Sequence, residues 1–322
     1  MDSYSGWIAV VTGGGTGMGR ELVRQLAAEG CHVATCDVFG EPLEETRRLA
    51  LADAPAGTKV VTFVADVADE AQLVAFRDTI VKELATDHVN LLFNNAGIAG
   101  GGSFVVDDRA EWEKTFWVDF FGVYYSTRTF LSLLLASDEG HVVNTSSING
   151  IWASIGPAVP HTSYSAAKFA VKGFTEALMT DFKLNAPNLH AHVVHPGHVG
   201  TSIVLNSAKA HDREPSTLDA DALAGIRRQL ESFGMPVDGV SDEDLRKGMQ
   251  ALGEGFRDTA PVTAAEAATT ILDGVRSGRW RILVGEDAVA IDEMVREDPE
   301  HAYEPGFYEA LRAKGHFAGF ST

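Results

Sequence analysis

The sequence has little cysteine, no long apolar run and no basic leader, and each shortage excludes a class of protein. The only cysteines are Cys31 and Cys36. They lie five residues apart on a predicted strand, point to opposite faces and cannot bind one metal ion together. We therefore expect free, buried thiols in a protein of the reducing cytoplasm. No stretch approaches the ~18 apolar residues that span a bilayer, and no basic segment followed by an apolar one indicates a secretory signal.

Basic residues are also scarce. Lysine and arginine number 26 against 45 aspartates and glutamates, which gives a formal net charge of −19. Nucleic acids and anionic membranes attract basic surfaces, so neither is expected as a partner. The histidines show no H-E-x-x-H or comparable paired spacing, so no metal site is expected.

What the sequence does contain is an alternation of short β-branched runs and helical stretches. The runs are apolar on both faces, as strands covered by helices on each side are. Such alternation predicts an α/β fold, a doubly wound parallel sheet with helices on both faces, formed by residues 1–322 as a single domain. The predicted strands are 7–12, 32–36, 60–64, 90–93, 141–145, 191–195 and 281–284. The predicted helices are 20–29, 70–84, 109–135, 163–185 and 264–277.

Two segments depart from this alternation. Residues 202–260, called the insertion below, are polar, contain two modest helical patterns and are too long for an ordinary connection. They form either a lid over a site or a disordered segment, and the helical periodicity favours the lid. The C-terminal extension, residues 299–322, keeps five aromatic residues. We expect it to pack on a neighbouring subunit or on the lid.

A glycine-rich stretch, "TGGGTGMGR", joins the first predicted strand to the first predicted helix. Gly13 suits a tight turn, Gly17 allows the backbone to approach a pyrophosphate, and Gly19 lets the helix lie close to the sheet. A Walker A loop is excluded because Arg20 and Glu21 stand where Lys and Ser or Thr are needed. The spacing is T-G-x-x-x-G-x-G and not G-x-G-x-x-G. Alone, the stretch is equally compatible with a structural turn.

An acidic residue after the second strand strengthens the nucleotide interpretation. Asp37 can accept hydrogen bonds from both hydroxyls of an adenosine ribose and would repel a 2′-phosphate. Position 16, inside the turn, is threonine and not a cation. Together these residues favour NAD over NADP. The alternative is that Asp37 merely ends a strand.

A second cluster of motifs concerns catalysis. Tyr164 and Lys168 are four residues apart on a predicted helix and share one face. An ammonium beside a phenol favours the phenolate and lowers the tyrosine pKa. Ser146 and Ser147 end a predicted strand, where the ligand crevice of a doubly wound sheet lies. A serine hydroxyl at this point can hold a substrate oxygen beside the Tyr164 phenol.

The motifs "TGGGTGMG", "NNAG", "YSAAK" and "PGHVGT", in this order, resemble the short-chain dehydrogenase/reductase family. The resemblance covers about residues 6–201 and resumes near 261–285. It implies a Rossmann-type sheet of seven parallel strands in the order 3-2-1-4-5-6-7. It also implies Tyr164 as the acid/base, Lys168 as the residue that holds the nicotinamide ribose, and Ser147 rather than Ser146 as the residue that positions substrate. The implied cofactor residues are Gly13, Gly17, Met18, Gly19, Asp37, Asp66, Val67, Asn94, Tyr164, Lys168, Val199 and Thr201.

The sequence departs from the family pattern at two places. Asp119 stands where the family usually has its fourth catalytic residue, an asparagine whose backbone carbonyl holds a water of the proton relay. A buried carboxylate there would perturb Lys168 or itself titrate. The second departure is a long interval between Ser147 and Tyr164, which predicts an enlarged loop on the substrate side. Trp152 and His161 in this loop are candidate substrate contacts, although packing or surface exposure is as compatible with each.

These observations predict an oxidoreductase that transfers a hydride between NAD and a secondary alcohol or ketone. The aromatic residues Trp117, Phe120, Phe121 and Trp152 suggest a bulky apolar substrate, but helix packing explains them equally and a small polyol stays open. Two other classes stay open as well: an NAD-binding regulator without catalysis, and a dehydratase or epimerase with tightly held NAD. The family resemblance further implies a homodimer or homotetramer formed through the predicted helices 109–135 and 163–185.

Overall fold

Seven parallel strands form the central sheet of the protein. The computed structural model describes residues 3–156, 159–232 and 237–316. The strand order is β3-β2-β1-β4-β5-β6-β9, and every neighbouring pair is parallel. The strands are β1 Ile8–Thr12, β2 His32–Asp37, β3 Val60–Val64, β4 Leu91–Asn94, β5 Gly140–Thr145, β6 Leu189–Pro196, β7 Val199–Gly200, β8 Val262–Thr263 and β9 Arg281–Val284. β7 and β8 pair separately as a short two-stranded sheet.

Helices cover both faces of the sheet, as the strand composition predicts. The central strands β1, β4 and β5 are buried along their whole length, because two apolar layers enclose them. All seven predicted strands and the doubly wound fold are confirmed. The helices are α1 Gly17–Ala28, α2 Gly40–Asp53, α3 Glu70–Leu84, α4 Arg109–Phe116, α5 Gly122–Leu135, α6 Thr162–Asn185, α7 Ile203–Ala210, α8 Ala220–Ser232, α9 Asp242–Asp258, α10 Ala264–Arg276, α11 Glu286–Glu297 and α12 Pro305–Ala313.

The predicted helix 109–135 is not continuous. A π-helical turn, Trp117–Phe121, separates α4 from α5. Such turns contain one extra residue, change the direction of the side chains and occur frequently at functional sites. Here Asp119 lies in the turn and is 0% exposed.

The insertion folds into helices where the structure describes it. It contains α7, a 3-10 turn at Pro215–Thr217, α8 and α9. Leu218, Leu223 and Leu245 form a small apolar cluster of its own. The described part of the insertion is therefore helical, and the alternative of a disordered segment does not apply to it. Residues 233–236 lie outside the described part of the chain.

The described part of the C-terminal extension packs on the loop after β5, an element that we did not expect it to contact. Its helix α12 and the neighbouring helix α11 enclose Trp152 and Ile148, which follow β5. The indole Nε1 of Trp152 donates to the carbonyl of Ala302 at 2.6 Å. The described part of the extension thus covers the loop after β5. Two of its five aromatic residues, Phe317 and Phe320, lie outside the described residues.

Cys31 and Cys36 are both buried and free. Within the described ranges, no helix is long and apolar enough to cross a membrane. In the same ranges, no group of three or more His, Cys, Asp or Glu residues is arranged to hold a metal ion.

Candidate active site

A cavity of about 390 Å³ opens at the carboxyl ends of β1, β2 and β4. This is the edge at which parallel α/β sheets bind their ligands. Its lining residues come from the glycine turn, from the segments after β2, β3 and β4, and from the insertion. The predicted cofactor residues that line it are Gly13, Gly17, Met18, Asp37, Asp66, Val67 and Thr201.

The glycine turn approaches its neighbours too closely for side chains. A Cβ on Gly13, whose φ is +69°, would lie 2.7 Å from the Cα of Ala96. A Cβ on Gly19 would lie 2.1 Å from the carbonyl oxygen of Gly13, so helix α1 packs directly on the turn. Gly17, with φ of +55°, faces the side chain of Thr201. Each of these three positions therefore requires glycine.

The N-terminus of α1 offers donors to an anion. Its N-cap residue, Thr16, makes no side-chain capping hydrogen bond, and the first turn contains no acidic residue. The first N–H groups of a helix have no partner within the helix, and the helix dipole is positive at this end. Because Gly17 and Met18 also line the cavity, this site fits the pyrophosphate of a dinucleotide.

Asp37 connects the glycine turn to the end of β2. Its Oδ2 accepts from the Gly15 N–H at 2.9 Å, and its Oδ1 accepts from the Phe39 N–H at 3.0 Å. Burial raises the pKa of Asp37, although these backbone donors oppose the shift. A carboxylate has about four lone-pair sites, so acceptors are left for ribose hydroxyls in the cavity.

Five predicted cofactor residues are not among the lining residues: Tyr164 and Lys168, described below, and Gly19, Asn94 and Val199. Gly19 and Val199 are buried, and neither is among the lining residues. Asn94 is 2% exposed, and its Nδ2 donates to Asn144 at 2.7 Å and to Thr127 at 3.0 Å. The expectation that Asn94 lines the cleft is therefore wrong. The lining residues there are Asn95, Ala96, Gly97 and Ile98, because β4 extends one residue further than predicted.

The catalytic candidates meet beside this cavity. Tyr164 and Lys168 lie on α6, and the Lys168 Nζ is 5.2 Å from the centre of the tyrosine ring. The Ser147 side chain is close enough to the Tyr164 phenol to lower its pKa. By contrast, the Ser146 hydroxyl donates to the backbone carbonyl of Lys168 at 2.8 Å and is buried. Only Ser147 is therefore placed to share a substrate oxygen with Tyr164.

Asp119 and Lys168 form a buried ion pair behind the cavity. The Asp119 Oδ2 lies 3.3 Å from the Lys168 Nζ, and its Oδ1 accepts from the Ile98 N–H at 2.8 Å. Lys168 also donates to the carbonyl of Thr145 at 3.3 Å. A Cβ on Gly97 would lie 3.1 Å from the Lys168 Nζ. Since Gly97 lines the cavity, the ion pair lies directly behind the cavity wall at this residue.

Opposing effects act on the pKa of Tyr164. Burial raises it, the Lys168 charge and the Ser147 side chain lower it, and the Asp119 charge raises it. Lys168 therefore acts in the expected direction, but burial outweighs it and the pKa is raised. Burial lowers the pKa of Lys168, but the charges of Asp119 and Tyr164 raise it by more, so its pKa lies above the ordinary value. Lys168 is therefore protonated, and Asp119 offsets its effect on the phenol.

The enlarged loop places its two candidates differently. Trp152 is 2% exposed and packs beneath the C-terminal extension, so the packing alternative describes it. His161 precedes α6, and its ring centre lies 4.8 Å from that of Tyr164. Burial lowers the pKa of His161 to about 4. A neutral imidazole therefore stands beside the phenol at neutral pH.

The sequence analysis missed the residues that the insertion contributes. The Asn206 Nδ2 donates to the Thr16 Oγ1 at 2.9 Å, which joins α7 to the glycine turn. Lys209 lines the same cavity, as does Lys114 of α4. The spacing of three residues between Asn206 and Lys209 in a helical pattern is the signal that would have placed both on one face.

His195 is another residue that the sequence analysis did not single out. Its Nδ1 lies 2.9 Å from the carbonyl oxygen of Ser147. Since a carbonyl only accepts, this nitrogen carries the proton. The contact fixes the backbone of the serine that faces Tyr164.

The aromatic residues of the π-helical turn pack on one another. The ring centres of Trp117 and Phe121 are 4.2 Å apart, and those of Phe120 and Phe174 of α6 are 6.3 Å apart. Trp117 is 42% exposed. Packing between helices, the alternative to contact with a bulky substrate, therefore accounts for these aromatic rings.

Comparison with known proteins agrees with this arrangement. The family described as short chain dehydrogenase matches residues 7–212. The chain belongs to the short-chain dehydrogenase/reductase family. SadH of Mycobacterium tuberculosis, which is named as an oxidoreductase, is 34% identical over 296 residues, or 92% of each chain. The short-chain dehydrogenase/reductase resemblance noted in the sequence is thereby confirmed.

Other short-chain dehydrogenases extend the comparison. The levodione reductase of Leifsonia aquatica is 35% identical over 64% of this chain and 74% of its own. The 3-alpha-(or 20-beta)-hydroxysteroid dehydrogenase of Mycobacterium tuberculosis is 32% identical over 74% of this chain and 84% of its own. A solved family member from Burkholderia phymatum in complex with NAD superposes with a TM-score of 0.74, at 27% identity, over 95% of this chain and 98% of that one. The protein is therefore an oxidoreductase of this family, with a nicotinamide cofactor and small-molecule alcohols or ketones as substrates.

Proposed function

We propose that the protein oxidises a bulky secondary alcohol, alicyclic or aromatic, to the ketone with NAD. The observation that carries this proposal is the position of Tyr164. Its pKa is influenced by Ser147, and its ring lies beneath the ammonium of Lys168, which itself lies directly behind the cavity residue Gly97. This is the geometry that general acid–base catalysis at a carbinol requires.

The residues divide the chemistry among them. Ser147 and Tyr164 bind the substrate oxygen, and the phenolate of Tyr164 takes the hydroxyl proton. A nicotinamide held in the cavity would supply the acceptor for the hydride of the carbinol carbon. The alcohol thus loses one proton and one hydride and leaves as a ketone. The Lys168 ammonium stabilises the negative phenolate.

Asp37 supports the choice of NAD. Its carboxylate faces the cavity at the end of β2 and repels the extra phosphate of NADP. The neighbouring turn residue, Thr16, brings no positive charge. The similar chain from Burkholderia phymatum was solved with NAD, which agrees with this choice.

The named relatives support a bulky substrate. One acts on levodione and another on hydroxysteroids, according to their names, and both substrates are alicyclic. Phe104 and Val105, after β4, are 76% and 92% exposed. Apolar side chains on this loop suit the entry of an apolar molecule.

The exposed aromatic face suits a second copy of the chain. Trp117 and Tyr124, near the π-helical turn, and Phe169 of α6 are each about two-fifths exposed. Burial of such residues between copies is favourable, and family members pair through these two helices. We therefore propose a homodimer or homotetramer, which light scattering after size-exclusion chromatography measures.

The experiment compares oxidation of alicyclic, aromatic and polyol secondary alcohols with NAD and with NADP. Reduced nicotinamide absorbance reports turnover. We expect the highest kcat/KM with NAD and an alicyclic or aromatic alcohol. Tyr164→Phe should lose about 10²-fold or more in kcat, while its Kd for NAD stays unchanged.

Two results would overturn the proposal. Turnover with a polyol or with NADP that exceeds the NAD reaction would contradict the substrate class or the cofactor. NAD binding without turnover of any alcohol, identical in wild type and Tyr164→Phe, would instead indicate a regulatory protein that senses the cofactor.

A further inference from the structure

Helix α7 of the insertion crosses the mouth of the cavity and is bonded on both of its sides. On one side Asn206 donates to Thr16 of the glycine turn at 2.9 Å. On the other side the Ser207 Oγ accepts from the Ala99 N–H at 2.7 Å. Lys114 donates from α4 to the carbonyl of Ala210 at the end of α7. The helix therefore joins the segments after β1 and β4 over the cleft between them.

Lys209 lies on the face of α7 that is directed into this cleft. It follows Asn206 by three residues, and its Nζ lies 4.5 Å from the centre of the Phe39 ring. The Phe39 backbone N–H donates to Asp37, so the ammonium is close to the end of β2, where the adenosine half of a dinucleotide binds. Position 16 of the glycine turn carries no cation, whereas α7 brings one from far along the chain.

The carboxylates that line the cavity make the Lys209 ammonium important for binding an anionic ligand. The cavity is lined by three carboxylates, Asp37, Asp66 and Asp212, and the lysines among the described lining residues are Lys114 and Lys209. An anionic ligand is repelled by the carboxylates. The glycine turn supplies only backbone N–H groups on the inner side. The outer side of the cleft therefore depends on these two ammonium groups.

We propose that α7 is a cofactor strap, in which Lys209, together with Lys114, pairs with the phosphate oxygens of the bound dinucleotide. This inference rests on the proposed function and adds a binding role for the insertion. For NAD the phosphates are those of the diphosphate. Lysine acts as a point charge at such groups, and the bond from Asn206 to Thr16 holds its helix next to the glycine turn.

The test measures binding and not turnover. Isothermal titration gives the Kd of wild type and Lys209→Met for NAD, NADP, ADP-ribose and adenosine, each at low and high salt. We expect Lys209→Met to bind NAD and ADP-ribose about tenfold more weakly, with a shallower salt dependence and with adenosine binding unchanged. Lys209→Arg should retain most of the affinity.

A matched control comes from the same insertion. Lys247 lies on α9, is exposed and pairs with Glu243, and it is not among the cavity residues. Lys247→Met removes the same charge from the whole protein and should bind every ligand as the wild type does. Circular dichroism of both variants verifies that the helices are intact.

The ligands separate the outcomes. A loss that is greater for NADP than for NAD places the ammonium at the 2′-phosphate, and an equal loss places it at the diphosphate. Either result supports a phosphate contact. Unchanged affinities, or an equal loss for adenosine, would overturn the strap while the proposed oxidation stands. Failure of the wild type to bind either dinucleotide would instead overturn the proposed function.

Discussion

The carboxylate of Asp119 and the ammonium of Lys168 lie 3.3 Å apart, both buried, next to the phenol of Tyr164. The family usually places a neutral asparagine where Asp119 stands. The carboxylate raises the pKa of Lys168 and, more weakly than burial does, that of Tyr164. The positive charge that favours the phenolate is therefore partly neutralised in this chain.

Asp119→Asn should retain activity and act at lower pH. The amide oxygen can still accept from the Ile98 N–H, so folding is preserved, while the unpaired Lys168 charge lowers the pKa of Tyr164. Oxidation needs the phenolate and its rate rises with pH through that pKa. The rising limb of the kcat/KM profile should therefore move to lower pH.

The pH profiles of both proteins with one alcohol provide this measurement, and circular dichroism verifies the fold. A folded Asp119→Asn protein without turnover would show that the carboxylate has a catalytic role of its own. An unmoved limb would show that it does not influence the phenol.

Asp37→Asn should weaken the preference for NAD. The amide keeps an acceptor for a backbone N–H of the turn but removes the negative charge and one acceptor for ribose. We expect the ratio of kcat/KM for NAD to that for NADP to fall by about tenfold or more. Asp78→Asn, on the exposed face of α3, removes the same charge outside the cavity and is the control. If the ratio does not change in Asp37→Asn, the residue merely ends its strand.

Trp152 should affect stability more than substrate binding. Trp152→Phe keeps an aromatic ring but leaves the Ala302 carbonyl without its donor, and we expect a loss of about 1–2 kcal/mol in the free energy of unfolding. Trp152→Ala should cost about 3–5 kcal/mol. Urea unfolding measures both values. An increase in KM for Trp152→Phe without a loss of stability would instead indicate that the indole contacts substrate.

Buried histidines should make the fold sensitive to acid. Burial lowers the pKa of His192 and His195 to about 4 each, below the value of about 6.5 of an unfolded chain. The folded protein thus binds fewer protons than the unfolded one. The stability contributed by these groups is complete above pH 6.5 and is lost as the pH falls toward 4, by about 1.4 kcal/mol per pH unit for each.

His195→Asn isolates one of these groups. The asparagine amide can replace the Nδ1–H as donor to the Ser147 carbonyl, but it does not titrate. The free energy of unfolding, measured from pH 7 to pH 4, should therefore fall less steeply than in the wild type. Equal slopes would mean that His195 is not the source of the acid sensitivity.

The sheet and the catalytic motifs were predictable because their signals are local. The pattern of short runs that are apolar on both faces predicted β3 and β9 with their observed bounds. The spacing of Tyr164 and Lys168 placed both on one helical face. Helix α2 was not predicted, since only Leu43, Thr46 and Ala50 of it are buried and its apolar periodicity is weak.

The remaining features depend on contacts between distant segments. The apolar pattern of 109–135 is continuous in sequence, so one extra residue in a π-helical turn leaves no signal. The raised pKa of Tyr164 results from burial, which no motif encodes. Lys209 reaches the end of β2 only because α7 folds back over the cleft. Such relationships follow from packing and not from the residues near each motif.

The hydrogen bond from Trp152 to Ala302 also bears on how the protein is made. The substrate-side loop is synthesised early, but the carbonyl that holds its indole comes 150 residues later. Domains start to fold from the N-terminus during synthesis. On a nascent chain the sheet strands β1 to β5 can pair before the segment that covers Trp152 has been synthesised. The loop beside Ser147 is therefore among the last parts to become ordered. In a ribosome-stalled chain that ends before residue 300, this loop should not be ordered.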